Sequence, residues 1–348
     1  MTVSFLLRPL ASAYRLGAAL RAMAYERGWI AARTLKRPVV SVGNLTVGGT
    51  GKTPLVAYVA KTLLGRGLKP AILTRGYGRG GGPRLIAIDP GPSRAPDPRR
   101  VGDEPALLAR QLPDVPIVVS SDRYRGGHVA EERFGVDVHI LDDGFQRLSL
   151  ARALDIVALD ATQQLSNASL LPAGRQREPL SAMRRADVAV FTRTELGANC
   201  ALRDLAGRIN PAVELFNACT KPDGLTDIVS GKVYPLDAFQ REPVYAFCGV
   251  GNPQAFFADV EAWGFRLAGQ RSFSDHHVYS NRDHFALRRA ATMTGAKALV
   301  TTEKDAMNLP SSVEWAVPVL AFRIKIELLE AGAFEETLLS FLRRPTPP

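Results

Sequence analysis

The sequence contains little cysteine, and its cysteines show no metal or redox spacing. The 348 residues include Cys200, Cys219 and Cys248, which are few, odd in number and widely separated. The close cysteine pairs that are typical of zinc sites and of redox motifs do not occur. We therefore expect three reduced thiols in a cytosolic setting, each acting as a small hydrophobic residue.

Acidic residues are also scarce relative to basic ones, which favours anionic partners. Lys and Arg number 44 against 34 Asp and Glu, so the formal net charge is +10 and the pI is near 9.8. Such a charge suits nucleic acid, an anionic membrane surface or a phosphorylated substrate. No common nucleic-acid-binding motif occurs and aromatic residues make up only 7%, so we expect no nucleic-acid partner.

Long uncharged hydrophobic runs are absent, because arginines interrupt the apolar N-terminal segment, residues 1–36. A spanning helix needs about 18 apolar residues, and the same arginines exclude a secretory signal peptide. On a helix, one sector holds Arg8, Arg15 and Arg33. The side broadly opposite holds Leu6, Leu10, Leu20 and Ala24. This basic amphipathic segment favours attachment to a membrane surface over simple packing on the protein.

What the sequence does contain is a glycine-rich segment between an apolar run and a helical pattern. The run Val39–Val42 precedes it, and the periodic segment Leu55–Leu64 follows it. Strand, glycine-rich turn, Gly-Lys-Thr and helix are the context of a phosphate-binding loop. The predicted ATP-binding residues are Thr46, Val47, Gly48, Gly49, Thr50, Gly51, Lys52 and Thr53.

Each part of this loop has a chemical purpose. Glycines let backbone N–H groups cradle anionic oxygens, and the dipole of the following helix adds positive potential. Lys52 is expected to reach the β- and γ-phosphates, and the Thr53 hydroxyl to bind Mg²⁺. Thr46 stands where the common pattern has glycine, so Gly48 and Gly49 must supply the flexibility.

The pattern of the chain from Pro38 onward predicts an α/β fold with a mostly parallel sheet. Apolar runs alternate with helical stretches. The runs are Val39–Val42, Ala71–Leu73, Ile117–Val119, Val136–Leu141, Ile156–Leu159 and Val188–Phe191. Periodicity fades near residue 223, which predicts four parts: an amphipathic N-terminal segment (1–36), a P-loop kinase domain (37–222), a linker (223–240) and a smaller C-terminal α/β domain (241–348).

Charged side chains follow several of these strands, where an open α/β sheet forms its ligand crevice. Asp142 and Asp143 end a strand and are the predicted Mg²⁺ ligands together with Thr53. Arg75, on the glycine-rich loop 75–82, and Arg177 are predicted to contact phosphate. Glu178 beside Arg177 is expected to support the metal.

Two further segments carry candidate residues that the pattern alone leaves undecided. Asp103 and Glu104 open a helix, where acidic residues are often only partners of the helix dipole. His276 and His277 form a pair without a third ligand at zinc-like spacing, so we expect no metal site there.

In their joint order, the motifs resemble the tetraacyldisaccharide 4′-kinase (lipid A 4′-kinase) family. The similarity runs from about residue 38 to residue 305. The segments that carry it are 43–54, 74–78, 102–105, 142–144, 171–174 with 177–179, 275–276 and 302–305.

The resemblance implies transfer of the ATP γ-phosphate to the 4′-hydroxyl of tetraacyldisaccharide 1-phosphate, giving lipid IVA, with Mg²⁺ required. It implies a peripheral enzyme at the cytoplasmic face of the bacterial inner membrane, and no obligate protein partner is inferred. It also implies that Asp103 is the catalytic base and that His276 orients it, with His277 as the competing candidate; Lys52 is expected to neutralise charge on the transferred group.

The alternative is a membrane-associated partition or targeting ATPase. Such proteins often carry a lysine just before Gly-Gly-x-Gly-Lys-Thr, where this chain has Val47.

Overall fold

The computed structural model describes residues 8–76, 83–91, 96–163, 169–197, 200–309 and 313–344. The helices are α1 (Arg8–Glu26), α2 (Lys52–Gly65), α3 (Pro98–Val101), α4 (Asp103–Gln111), α5 (Arg123–Phe134), α6 (Cys200–Ile209), α7 (Asp237–Gln240), α8 (Pro253–Ala262), α9 (Asn281–Thr294), α10 (Glu303–Ala306) and α11 (Ala331–Leu342). Short 3₁₀ helices span Leu180–Arg185 and Thr194–Leu196.

The strands are β1 (Val39–Asn44), β2 (Pro70–Thr74), β3 (Leu85–Ile88), β4 (Ile117–Ser120), β5 (Val138–Asp142), β6 (Leu154–Asp160), β7 (Val188–Thr192), β8 (Glu214–Asp227), β9 (Val233–Tyr234), β10 (Pro243–Cys248), β11 (Arg266–Ser272), β12 (Ala298–Thr302) and β13 (Val319–Leu328).

Among the described residues, all thirteen strands belong to one mostly parallel sheet. Its order is β11-β10-β12-β13-β8-β7-β6-β1-β5-β2-β4-β3, and β9 pairs with β8. Three pairings are antiparallel: β3 with β4, β13 with β8, and β9 with β8. The predicted α/β fold with a largely parallel sheet is confirmed, and each of the six apolar runs forms a strand.

The central strands are apolar throughout because helices cover both faces of the sheet. Val40 and Val42 face a core shared with α2, α4 and α11, whereas Val39 lies in a separate core with α5. A parallel strand that is buried on both faces needs apolar residues at successive positions. This explains why these segments appear as continuous runs in the sequence.

The long strands β8 and β13 lie side by side in the middle of the sheet and connect its two halves. The first half of β8 pairs in parallel with β7, and its second half pairs antiparallel with β13. Residues 223–240 form the end of β8, β9 and α7. The division into domains at these residues stays a prediction.

A second group of elements, β10 to β13 with α8 to α10, forms the C-terminal lobe. Its aromatic core lies around Phe322, whose ring contacts those of Phe265 and Trp263 at centroid distances of 4.9 and 5.0 Å. After β13, α11 returns to the first half of the sheet, where Phe334 packs 5.3 Å from Phe216.

The predicted N-terminal helix is present as α1. It ends at Glu26, so Arg33 lies beyond it, and residues 1–7, including Leu6, lie outside the described residues. Leu10, Leu16 and Leu20 are 58%, 62% and 50% exposed. Within the described part of the chain, no helix has the length and apolar character needed to cross a membrane.

Candidate active site

The glycine-rich segment forms a loop between β1 and α2, at the carboxyl end of the sheet. Gly51 caps α2 in the left-handed conformation, with φ 79°, which glycine adopts without strain. Asn44 donates to the Thr50 hydroxyl over 2.8 Å, and Thr192 donates to the Thr50 carbonyl over 3.1 Å. The first turn of α2 carries no acidic residue, so the dipole of the helix remains available to an anion.

Thr46, in place of the usual glycine, anchors the start of this loop. Its side chain is buried and donates to Gln163 over 3.3 Å. The next residue, Val47, donates its N–H to the carbonyl oxygen of Arg175 over 2.8 Å. The loop is therefore fixed to the segment that carries Arg177.

The two predicted metal carboxylates lie at the end of β5, the strand that pairs directly with β1. Asp142 is buried and accepts a hydrogen bond from Thr74 over 2.9 Å. Burial, together with the charges of Glu104 and Asp143, raises the pKa of Asp142 to about 7. Concentrated negative charge beside a phosphate loop is the environment that a divalent cation neutralises.

Asp143 follows the strand in a left-handed conformation, with φ 52°. Its carboxylate lies 3.5 Å from the Lys52 ammonium and 2.6 Å from the Arg177 guanidinium. Burial alone would raise the pKa of Asp143, but these two cations outweigh it and the pKa is lowered. Lys52, Asp143 and Arg177, which were predicted from three separate segments, are thus in contact.

Thr53, Asp142 and Asp143 are compatible with Mg²⁺ held jointly with phosphate oxygens. Within the described ranges, no group of three or more His, Cys, Asp or Glu residues could hold a metal without other ligands. Mg²⁺ commonly uses one or two carboxylates and completes its shell with phosphate oxygens and water. The buried Asp142 beside the loop fits that pattern.

Asp103 and His276 are in contact although 173 positions separate them. The His276 Nδ1 atom lies 2.9 Å from a carboxylate oxygen of Asp103, which is 5% exposed at the start of α4. Hydrogen bonding to Asp103 raises the pKa of His276. Burial would raise the pKa of Asp103, but the bond to His276 and the Lys304 charge lower it, so Asp103 is a carboxylate at neutral pH.

His277 points elsewhere. Its Nε2 atom lies 3.0 Å from Asp283, and its ring stacks on Phe273 at a centroid distance of 4.8 Å. The backbone of His276 has a positive φ of 99°, which is uncommon outside glycine. This turn directs the two adjacent side chains to different surroundings.

The remaining predicted residues lie apart from the loop. Glu178 accepts a hydrogen bond from Arg185 over 2.6 Å. Arg75 is exposed at the end of β2. Burial of Arg147, together with the charge of Arg75, lowers the pKa of Arg147. Residues 77–82 of its predicted glycine-rich loop lie outside the described residues.

Sequence reasoning gave no role to Arg193 or Lys304, and both lie in the site. Arg193 donates to the Gly49 carbonyl and to Asp160, each over 2.9 Å. The Lys304 ammonium lies 3.1 Å from His276 Nε2 and 3.3 Å from Glu104. Each residue follows the end of a parallel strand, β7 or β12, a position that marks crevice residues in such sheets.

A cavity of about 210 Å³ lies between the loop and the C-terminal lobe. Loop residues 48–53 line one side, together with Arg177 and Arg193. The other side is lined by Val250, Gly251, Asn252, Phe256, Asp259, Trp263, Asp275, His276, Thr302, Glu303, Lys304, Phe322 and Ile324, with Glu104, Leu107 and Gln111 between the two. The phosphate loop and His276, which is bonded to Asp103, therefore line the same cavity.

A phosphate loop beside strand-end carboxylates on a parallel sheet defines a P-loop nucleotide-binding protein. The family model described as LpxK, tetraacyldisaccharide-1-P 4′-kinase, matches residues 3–343. The chain belongs to this family of kinases, as the resemblance predicted, and the partition or targeting ATPase is not favoured.

Curated relatives and a solved structure agree with this family. The tetraacyldisaccharide 4′-kinase of Geobacter sulfurreducens is 39% identical over 94% of this chain and 90% of its own length. That of Syntrophus aciditrophicus is 36% identical over 95% and 91%. A crystal structure of LpxK from Aquifex aeolicus in complex with ATP has a TM-score of 0.78 and 30% identity, covering 98% of this chain and all of that chain.

Proposed function

We propose that this protein transfers the γ-phosphate of ATP to the 4′-hydroxyl of tetraacyldisaccharide 1-phosphate, forming lipid IVA in lipid A biosynthesis. The observation that carries the proposal is that the phosphate loop and His276, which is hydrogen-bonded to the Asp103 carboxylate, line one cavity. The loop suits the donor phosphates, and the carboxylate suits a hydroxyl acceptor. The lipid substrate follows from the family.

ATP would bind with its phosphates on loop residues 46–53. Lys52 and the inward N–H groups neutralise charge that develops on the transferred phosphoryl group. On the far wall, Phe256 and Trp263 provide an aromatic surface suited to a nucleobase. Thr53, Asp142 and Asp143 would hold Mg²⁺, which, when bound, neutralises phosphate charge.

Asp103 would accept the proton of the 4′-hydroxyl as that oxygen attacks the γ-phosphorus. A sugar hydroxyl is a weak nucleophile at neutral pH, and general-base assistance is worth about 10²–10⁴-fold. The hydrogen bond from His276 fixes the orientation of this carboxylate. The bond from phosphorus to the β–γ bridging oxygen breaks as the bond to the sugar oxygen forms, and ADP leaves.

Phosphate contacts beyond the loop are assigned to Arg75 and Arg177. Arg177 forms an ion pair with Asp143, which also lies beside Lys52 of the loop. This position suits contact with the γ-phosphate. Arg75 lies at the exposed end of β2 and suits the 1-phosphate of the substrate. Glu178 supports this region through Arg185.

We infer that the enzyme is peripheral to the cytoplasmic face of the inner membrane and acts without an obligate protein partner. The acyl chains of the substrate stay in the bilayer, so the site must approach the membrane surface. The exposed leucines of α1 and the arginines beside them suit an anionic lipid surface. In this arrangement, residues 37–222 form the kinase domain and residues 223–240 form the linker. Residues 241–348 form the smaller domain, which closes over the nucleotide.

The proposal is tested with γ-labelled ATP, Mg²⁺ and detergent-solubilised tetraacyldisaccharide 1-phosphate. Label is expected in the lipid with the wild-type protein, and its transfer should be almost abolished in Lys52→Ala and Asp103→Asn. Label released only as free phosphate, at a rate independent of the lipid, would instead indicate an ATPase. Transfer at the wild-type rate in Asp103→Asn would remove Asp103 as the base.

A further inference from the structure

Lys304 occupies a position from which it can control the protonation of His276. Its ammonium lies 3.1 Å from Nε2 of the imidazole, on the side opposite Asp103. An ammonium group only donates hydrogen bonds, so Nε2 must accept. The ring hydrogen then resides on Nδ1, from which it is donated to Asp103.

We propose that Lys304 is a positioning residue that holds His276 in the neutral tautomer with hydrogen on Nδ1, and so keeps Asp103 in its acceptor state. This inference rests on the proposed function, in which Asp103 accepts the proton of the sugar hydroxyl. It adds to that function a role for Lys304, whose contacts are with His276 and Glu104.

The turn that carries Lys304 is firmly fixed. Asp305, which is 1% exposed, accepts hydrogen bonds from Tyr279 over 2.9 Å and from the N–H of Gly249 over 2.8 Å. It also accepts one from Thr302 over 2.6 Å, which closes the first turn of α10. Lys304 is thereby held on a short element with little freedom to rearrange.

The charges around His276 show why the ammonium matters. Asp103 on α4 and Asp275 on the same turn face the ring, with Asp275 3.7 Å from Nε2. Both carboxylates favour the imidazolium form. Lys304 on α10 opposes them, and it is itself balanced by Glu104 on α4 at 3.3 Å.

Removal of Lys304 favours protonation of His276. Without the ammonium, a hydrogen on Nε2 faces the Asp275 carboxylate, so the ring is protonated more easily and the pKa of His276 rises. An imidazolium beside Asp103 makes that carboxylate a weaker base. Activity that needs Asp103 as a proton acceptor is therefore lost from the acid side.

The first test is imidazole NMR of histidine-labelled wild-type protein, with His276→Gln used to assign the signal. At a pH where His276 is neutral, we expect the tautomer with hydrogen on Nδ1. Hydrogen on Nε2 would overturn the proposal without reference to any variant or to activity.

The second test is the pH profile of turnover in Lys304→Met, with Lys304→Arg as the conservative variant and the exposed Lys297→Met as control. In Lys304→Met the acid limb should move to higher pH, with turnover at pH 7 reduced by about tenfold, inside the range of general-base effects. The limb should stay near its wild-type position in Lys304→Arg and Lys297→Met.

These measurements test the role of Lys304 separately from the proposed kinase function. A higher KM for ATP in Lys304→Met, with kcat and its acid limb unchanged, would assign Lys304 to phosphate binding and overturn the proposal. If wild-type protein transfers no phosphate to the lipid, the proposed function fails, whereas the NMR result still decides the tautomer.

Discussion

Individual residues show what local sequence patterns predict and what they omit. The phosphate loop was predictable because its glycines, Lys52 and Thr53 are contiguous and their chemistry depends on local backbone. Asp142 and Asp143 were predictable as residues at a strand end. Arg193 and Lys304 were not, because their partners lie in loops that are distant in sequence and only the fold brings them together.

The Asp103–His276 contact is the clearest example of a contact that local sequence patterns do not predict. Both residues have ordinary structural explanations within their own segments, and the residue patterns gave no reason to connect them. The family resemblance implied the pair, and the structure places the two side chains 2.9 Å apart. The catalytic roles of both residues stay predictions.

At this scale, the adjacent histidines provide a matched pair of variants. His276→Ala should lower phosphoryl transfer by about 10²-fold, since it removes the group that orients the proposed base. His277→Ala removes the bond to Asp283 and the stacking on Phe273. We expect it to lower stability by about 1 kcal/mol with little effect on turnover.

Turnover and thermal unfolding of both variants distinguish these effects. A larger loss of turnover in His277→Ala than in His276→Ala would reverse the assignment.

Among the elements, the buried parallel strands were the most predictable. Their continuous apolar runs follow from burial on both faces. The long strands β8 and β13 were not predicted, because partly exposed antiparallel strands lack such runs and contain charged residues such as Lys221 and Glu327. The helix α1 was predicted from its arginine spacing.

The apolar side of α1 can be tested as a membrane-binding element. At about 100° per residue, Leu10, Tyr14, Leu16 and Leu20 fall within one half of the helix circumference. Leu16→Gln with Leu20→Gln should weaken binding to anionic liposomes by at least about tenfold, because each leucine that enters the bilayer contributes about 1.5–3 kcal/mol.

Co-sedimentation with liposomes measures this loss. The control is Val229→Gln with Met293→Gln, which alters side chains that are 70% and 73% exposed elsewhere on the molecule. Equal binding by both double variants would assign membrane attachment to a different surface.

The whole molecule is organised around contact between the phosphate loop and the C-terminal lobe. Arg175 donates to the carbonyl of Val47 over 3.1 Å and also to that of Gly251. Arg193 connects the loop carbonyl of Gly49 with Asp259 on α8, at 3.3 Å from the carboxylate. The cavity, which residues of both the loop and the lobe line, is therefore complete only when the lobe lies against the loop.

Gly251 lies in this contact against Gly48, so it tests whether lobe position controls nucleotide binding. A Cβ atom there would lie 2.5 Å from the Cα of Gly48 and 3.0 Å from an Asp275 carboxylate oxygen. Gly251→Ala should hold the lobe away from the loop at a cost of about 1–3 kcal/mol. We expect KM for ATP to rise by about tenfold.

The matched control is Gly332→Ala, where an added Cβ meets nothing within 4 Å. Steady-state kinetics with varied ATP, together with thermal unfolding of both variants, separates impaired closure from general destabilisation. An unchanged KM in Gly251→Ala would mean that the loop binds nucleotide without this contact. In that case the C-terminal lobe would act on the acceptor through His276 and Lys304, rather than on ATP.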